Sequence, residues 1–341
     1  MIIVFGAAGF IGTYLVDQLV TDNFDVLASD ISPLGQVYYK KQGIPFIRLD
    51  ITGEKGFGKL PQKGVEAVVN LACLQPANVS EAAYSPIKYI ETNTIGTLNV
   101  LEFCRKTKVN KVICFNSHRA AEGLWGTGKP IREEAKAIKY TGEYAMYVIS
   151  ESAAADCVEH YRQKHGMQAI IFRLPPVYGY GPHTEIFKNG KPIKTGFKIF
   201  IENATAGKPL EVWGDSKKGR DIIYVKDVVA AIIRALKSPK AAGTYNIASG
   251  RTLSLEEEAK GIIKVFSPKG HPSKITYRPE KPNSIESFLY DIGKAKKELG
   301  WSPKYSFEEM LADYKKEMAS ERFRFLLEKR ILMLHQKPED I

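Results

Sequence analysis

The 341-residue sequence contains no apolar run approaching the roughly 18 residues a membrane-crossing helix needs, so no transmembrane segment is expected. The opening residues MIIVFGAAGF carry no basic stretch and no small-residue cleavage pattern; a signal peptide is not expected, and a cytoplasmic location is. Cysteine is scarce. The four, Cys73, Cys104, Cys114 and Cys157, sit singly in apolar runs such as KVICF, without CxxC or metal-ligand spacing. That pattern argues against a disulfide framework and a metal site, and predicts buried free thiols in a reducing compartment. Internal repeats and low-complexity tracts are missing too. Charge of one sign is in excess, at a formal +11, yet Lys and Arg are scattered and form no stripe interleaved with aromatics. Anionic small molecules account for such a surface better than nucleic acid does.

What is present is alternation. Over the first 175 residues, short β-rich runs alternate with helical patterns, which predicts an α/β fold: a Rossmann-type, doubly wound parallel sheet. The strands read IIVFG (2–6), DVLASD (25–30), PFIRLD (45–50), EAVVNLA (66–72), KVICFNS (111–117) and QAIIFRL (168–174), with helices near 10–22, 34–43, 86–108 and 143–165. Near-continuous apolar strands such as IIVF fit a sheet covered on both faces. After RLPPVYGYGP (173–182) the texture changes to short strands (EVW, TYNIAS, KITYRP) and helices near 196–207, 226–238 and 254–266. This predicts domains at 1–175 and 176–318, the second a smaller α+β substrate lobe packed closely on the first, since no flexible linker separates them. A helical pattern runs from Phe307 to His335, and 319–341 is read as an extension whose apolar part, FRFLLEKRILML, packs on the body or a second subunit.

Gly6, Gly9 and Gly12 fall in the turn between the first strand and first helix. Glycines there let the chain turn tightly and bring a helix N-terminus, with its free amides, against a pyrophosphate. A glycine trio alone is a weak signal, but Asp30 ends the second strand. A carboxylate at that place accepts both ribose hydroxyls of NAD and repels the 2′-phosphate of NADP, and no Arg or Lys occupies 31–35. NAD is therefore the expected cofactor, with Asp50 and Ile51 suited to the adenine edge and face.

From these residues onward the chain resembles the extended short-chain dehydrogenase/reductase family, in its NAD-dependent epimerase/dehydratase branch acting on nucleotide sugars. The matching stretches are GAAGFIG, Asp50-Ile51, NLAC (70–73), ETNTIGTLNVLEFCR (91–105), RLPPVYGYGP, KPLEVWGDSKKGRDIIYVKDVVAAI (208–232), GTYNIASG (243–250) and DIGKAKKELGWSP (291–303). The resemblance spans roughly residues 1–318. It implies bound NAD, a nucleoside diphosphate sugar as substrate, and a homodimer formed through the helices at 86–108 and 143–165. It further implies that Phe10, Ile11, Leu71, Ala72, Cys73, Asn93 and Pro175 contact the cofactor, and that Arg220 and Arg278 meet the substrate pyrophosphate. Gln75, Tyr178 and His183 are candidates for the sugar pocket, and the Lys-rich loop FKNGKPIKTGF (187–197) either closes over the nucleotide or is an unstructured exposed turn.

The family's catalytic pattern is a Tyr-x-x-x-Lys pair plus a Ser or Thr. Here Tyr147 takes the tyrosine position, Glu151 replaces the lysine, and His118 takes the hydroxyl position with Ser117 just before it. The family's Asn before YG is Pro176. Loss of the ammonium matters, because a free phenol has a pKa of about 10 and an ionised Glu one helical turn away opposes its ionisation. Tyr147 is expected to be the acid/base, Glu151 to hold the nicotinamide ribose, and His118 to assist as imidazole or as an imidazolium paired with Glu151. The alternative is a non-catalytic NAD(H)-binding sensor or assembly protein.

Overall fold

The structure, a computed structural model, describes residues 1–78, 84–181, 185–188, 191–283 and 285–320. Its centre is a parallel sheet of strands β1 (Ile2–Phe5), β2 (Val26–Asp30), β3 (Phe46–Arg48), β4 (Ala67–Asn70), β5 (Lys111–Ser117), β6 (Gln168–Leu174) and β7 (Gly243–Asn246). The spatial order is β7-β6-β5-β4-β1-β2-β3. The chain leaves β1 in one direction and returns to its other side with β4, so the C-terminal ends of β1 and β4 flank the point where the winding reverses. In such sheets that crevice is where a ligand sits.

The unbroken apolar strands are explained by two cores. Ile2 and Val4 belong to the core on one face and Ile3 and Phe5 to the core on the other, as period-two alternation requires. Helices α1 (Phe10–Thr21) and α2 (Pro33–Lys41) cover the first face with Tyr14, Leu15, Leu19, Tyr38 and Tyr39. Helices α3 (Gly96–Thr107) and α4 (Ala145–His165) cover the second with Val100, Leu101, Cys104, Val158 and Tyr161. Short helical turns at Pro86–Tyr89 and a π-helical turn at Ile90–Ile95 lead into α3, so the predicted helix at 86–108 is one run with a widened turn inside it.

The second half is less separate than its sequence texture suggests. The TYNIAS segment, assigned to the smaller lobe, supplies β7, which pairs with β6 in the central sheet. A division at residue 175 therefore cuts the sheet; the period-two pattern announces a strand but not its neighbour. Helices α5 (Gly196–Thr205), α6 (Val225–Lys237), α7 (Leu255–Phe266), α8 (Gly293–Leu299) and α9 (Phe307–Ala319) follow among the described residues, α6 packing beside α1. Two-stranded ribbons, Leu210–Trp213 with Ile275–Arg278 and Gly219–Asp221 with Thr252–Ser254, form the outer lobe. The Lys-rich loop is not unstructured: Glu185–Lys188 and Lys191–Lys194 pair as an antiparallel hairpin, and its first strand lies beside the Pro76–Asn78 turn. His183 and the extension beyond Ser320 lie outside the described residues. Among the described residues no helix is long and apolar enough to cross a membrane, and no cluster of His, Cys, Asp and Glu could hold a metal ion.

Candidate active site at the reversal of the sheet

The glycine turn is dictated by contact. Gly6 has φ +72°, and a Cβ there would stand 2.6 Å from the Ala72 nitrogen and the Leu71 carbonyl carbon at the end of β4. A Cβ on Gly12 would stand 2.2 Å from the Gly6 carbonyl oxygen. The N-cap of α1 is Gly9, which makes no side-chain cap bond to the first turn of the helix. The Tyr39 hydroxyl, donating to the Ala7 carbonyl at 2.6 Å, holds the loop from beneath. Asp30 completes the cradle: its carboxylate accepts the Ala8 amide at 2.9 Å and the Ser32 amide at 2.8 Å. Burial raises its proton affinity and these amides oppose that. With the Ile31 amide these make three donors, which a carboxylate's roughly four acceptor sites can take with one to spare. A cradle with no room for Cβ atoms, an uncapped helix start and a carboxylate at the end of β2 fit the pyrophosphate and ribose of a dinucleotide.

Other sequence candidates fall around this crevice in different states. Asp50 is exposed and accepts the Thr52 amide and hydroxyl. Ile51 is not on an open face: it is 4% exposed, its Cδ1 2.6 Å from where a Gly96 Cβ would be. Pro175 is buried and Gln75 exposed. Asn93 lies in the π-helical turn, 1% exposed, where it accepts from the Leu74 amide at 2.7 Å and donates to the Leu74 carbonyl at 3.1 Å and to Ser150 Oγ at 2.9 Å. It clasps the segment carrying Cys73 onto α4. A widened turn inside a helix is a common way to aim such a side chain.

Tyr147 and Glu151 project from the first turns of α4, and the end of β5 faces them. The Tyr147 hydroxyl interacts with Ser117, so Ser117, not His118, is the hydroxyl partner of the tyrosine. Ser117 ends β5 and also caps the following turn by accepting the Arg119 amide at 3.2 Å. Burial holds the Tyr147 phenol well above its usual value; Glu151 and Cys73 add to this, while Ser117 and the Arg119 guanidinium pull the other way. Glu151 is 7% exposed and turned inward, its Oε1 accepting from the Cys73 thiol at 3.0 Å. Burial lifts its carboxyl to about 7, the thiol contact partly opposing the rise.

His118 does not assist as an imidazolium. Its ring packs against those of Trp125 (5.4 Å) and Phe288 (5.5 Å), which also stack on each other at 4.6 Å, and it bonds to the Leu174 carbonyl rather than to Glu151. Burial, with the Arg119 and Arg220 charges, lowers its pKa to about 3, so it is a neutral packing element at physiological pH. The cysteines are free as expected, but only Cys104 and Cys114 are buried; Cys73 and Cys157 are half-buried.

In the outer lobe, Arg220 donates to the Tyr178 hydroxyl at 3.2 Å, which donates to the buried Glu258 at 3.3 Å. Its strand bridges the backbone of Phe288, which places it behind the His118 stack. Arg278 is exposed and paired with Glu211 at 3.2 Å. The two arginines thus stand in different settings. Sequence reasoning missed Arg119, which lies over the Tyr144 ring at 3.9 Å and pairs with Glu122 at 2.7 Å, and it missed the Cys73–Glu151 contact. The spacing of Cys73 and Glu151 carries no local signal; only the fold joins them.

Comparison with known proteins accords with this geometry. Residues 2–248 match the family described as the NAD dependent epimerase/dehydratase family. The chain belongs to that family. Its first 248 residues include β7, so the match runs through the whole central sheet. UDP-glucuronic acid decarboxylase 6 of Arabidopsis thaliana is 29% identical over 324 residues, covering 91% of this chain and 86% of that one. A UDP-glucose 4-epimerase of Thermotoga maritima, solved with UDP-glucose, superposes with a TM-score of 0.76 at 26% identity, over 94% of this chain and 99% of that one. A UDP-glucose 4-epimerase of Thermus thermophilus, solved with NAD, superposes with a TM-score of 0.73 at 25% identity, over 95% and 98%. These relatives are enzymes on nucleotide sugars, and the chemistry differs among them.

Proposed function

We propose that this family member is an NAD-dependent enzyme that modifies a nucleoside diphosphate sugar through a transient keto-sugar, with Tyr147 as the group that exchanges a proton with the sugar hydroxyl. The observation that carries the reading is the convergence of Tyr147, Ser117 and the glycine cradle at the crevice where the sheet's winding reverses. Bound NAD supplies the hydride acceptor and donor. Tyr147 and Ser117 orient the sugar hydroxyl, and Asn93 fixes the segment that closes the site. Arg220 is suited to the pyrophosphate, since a guanidinium matches phosphate oxygens with two parallel hydrogen bonds. The Ile87 and Ile95 side chains, 67% and 43% exposed on one face of the 86–107 helical run, support a homodimer through that helix. Four free thiols fit a cytoplasmic setting.

The test is to denature the purified protein, identify the released nicotinamide dinucleotide, and repeat after incubation with a panel of nucleotide sugars. NAD is expected, with conversion of at least one sugar. Conversion of none leaves a cofactor binder without catalysis and refutes the enzyme reading. Asp30→Ala is expected to weaken NAD by about ten- to a hundred-fold, the worth of a hydrogen bond to a charged group. It should also narrow the preference over NADP. Equilibrium binding of both dinucleotides measures this, and an unchanged NAD affinity would remove Asp30 from the ribose.

A further inference from the structure

A carboxylate in place of a cation at position 151 needs a chemical account, and its surroundings supply one. Among the described residues the Glu151 carboxylate has one hydrogen-bond donor, the Cys73 thiol, at 3.0 Å. The same sulfur interacts with the Tyr147 hydroxyl, which in turn interacts with Ser117. Four groups from three elements thus make one line, Ser117–Tyr147–Cys73–Glu151, from the end of β5 across α4 to the segment after β4. Asn93 keeps it in place by clasping Leu74, the residue next to Cys73, onto Ser150, the residue next to Glu151. Beyond the carboxylate lies a cavity of about 30 Å³, lined in part by Asn70, Thr97 and Cys114. That is room for about one water with polar partners.

We infer that Cys73 passes protons between Tyr147 and Glu151, and that Glu151 is the final proton acceptor when the sugar is oxidised. The inference rests on the proposed nucleotide-sugar chemistry. As the sugar O–H bond breaks, its proton forms a new O–H bond on Tyr147. The original Tyr147 proton moves to the Cys73 sulfur, and the original thiol proton moves to Glu151. The electron pair of the sugar C–H bond would leave as hydride to the oxidised dinucleotide that the Gly6–Gly12 cradle and Asp30 would hold, and the sugar would become a ketone. Tyr147 and Cys73 end neutral, as they began, and the negative charge of Glu151 is cancelled. Reduction runs the same sequence backwards. No phenolate accumulates, which removes the need for the lysine that would stabilise one.

The direction of proton affinity agrees. The Tyr147 phenol is held well above its usual range, so it gives up its proton only as it receives another. Glu151, at about 7, is poised to take and return one near neutral pH. Cys73 and Glu151 act through Tyr147, so the experiment must separate transfer from packing.

Infrared titration of the full-length protein, with its cofactor as purified, follows the thiol S–H stretch and the carboxyl C=O band. The Cys73 component of the S–H band, identified by its loss in Cys73→Ala while the other three thiols keep theirs, is expected to shift as Glu151 titrates near pH 7 and to stop shifting in Glu151→Gln. In kinetics, the kcat for sugar oxidation should rise with pH through about 7, because Glu151 must be ionised to accept. Cys73→Ala should lower kcat about a hundred-fold with KM unchanged. Cys73→Ser, which keeps a donor and an acceptor, should restore most of it. An S–H band insensitive to the Glu151 titration overturns the relay, as does a Cys73→Ala enzyme with wild-type kcat and pH profile. Failure of the wild-type protein to convert any nucleotide sugar overturns the enzyme reading itself, a result distinct from either.

Discussion

Tyr147→Phe is expected to lower turnover of the nucleotide sugar by about a thousand-fold or more, while the protein keeps its fold and its dinucleotide. The phenol is half-buried, and its ring stands edge-on to Tyr89 with centroids 6.5 Å apart, a contact a phenylalanine ring keeps. What is lost is the hydroxyl that links Ser117 to Cys73. Since Ser117 is at the end of β5 and Glu151 is turned inward, neither can replace it on the sugar hydroxyl. The loss should appear in kcat rather than KM, because the interaction matters as the proton moves. His118→Ala is the contrast. Its neutral imidazole is packed against the Trp125 and Phe288 rings, so the change should lower the melting temperature and leave the pH profile in place. Retention of turnover by Tyr147→Phe, with turnover lost in His118→Ala, would reverse the assignment of these two residues.

The second large effect is on stability. In the folded chain Glu151 keeps its proton up to about 7, whereas the unperturbed group releases it near 4.5. Between those values the folded state binds a proton that the unfolded state has lost, so stability falls as pH rises. Above about 7 the carboxylate is ionised in both states, and the full penalty of holding it in the interior is present. A rise from about 4.5 to about 7 corresponds to roughly 3 kcal/mol. Glu151→Gln carries no charge at any of these pH values and can still accept from Cys73. It should match the wild type near pH 4 and exceed it by up to roughly 3 kcal/mol at pH 8 to 9. Denaturant unfolding across that range, at equal cofactor loading, measures the difference. A difference that stays flat with pH would mean the carboxyl is not held as the structure has it. The same substitution should slow catalysis, so the residue that costs stability is one the chemistry retains.

Much of the fold was legible because its signals are local. Lys111–Ser117 and Gln168–Leu174 form strands with the predicted bounds, since a buried parallel strand must be apolar on both faces and these runs are. Gly6 and Gly12 were legible for an equally local reason: the turn they make leaves 2.6 Å and 2.2 Å for an atom that any other residue would place there. The site was legible only in part. Tyr147 and Glu151 share a helix, and their four-residue spacing predicted that they would influence one another. Ser117 and His118 are adjacent, and which of them faces Tyr147 depends on how β5 ends. Sequence favoured the histidine, and the aromatic stack with Trp125 and Phe288, one of them from the far half of the chain, took that ring away.

The sequence by itself determined the alternation of strands and helices, the glycine turn and the carboxylate at the end of β2, because each depends on residues within one strand–helix unit. Only the tertiary structure decided that residues 243–246 complete the sheet and that His118 is neutral. It alone joined Cys73, 78 residues away in the chain, to Glu151. Strand order and burial depend on which segments meet across the molecule. A side chain's proton affinity follows from that meeting, not from its neighbours in the sequence.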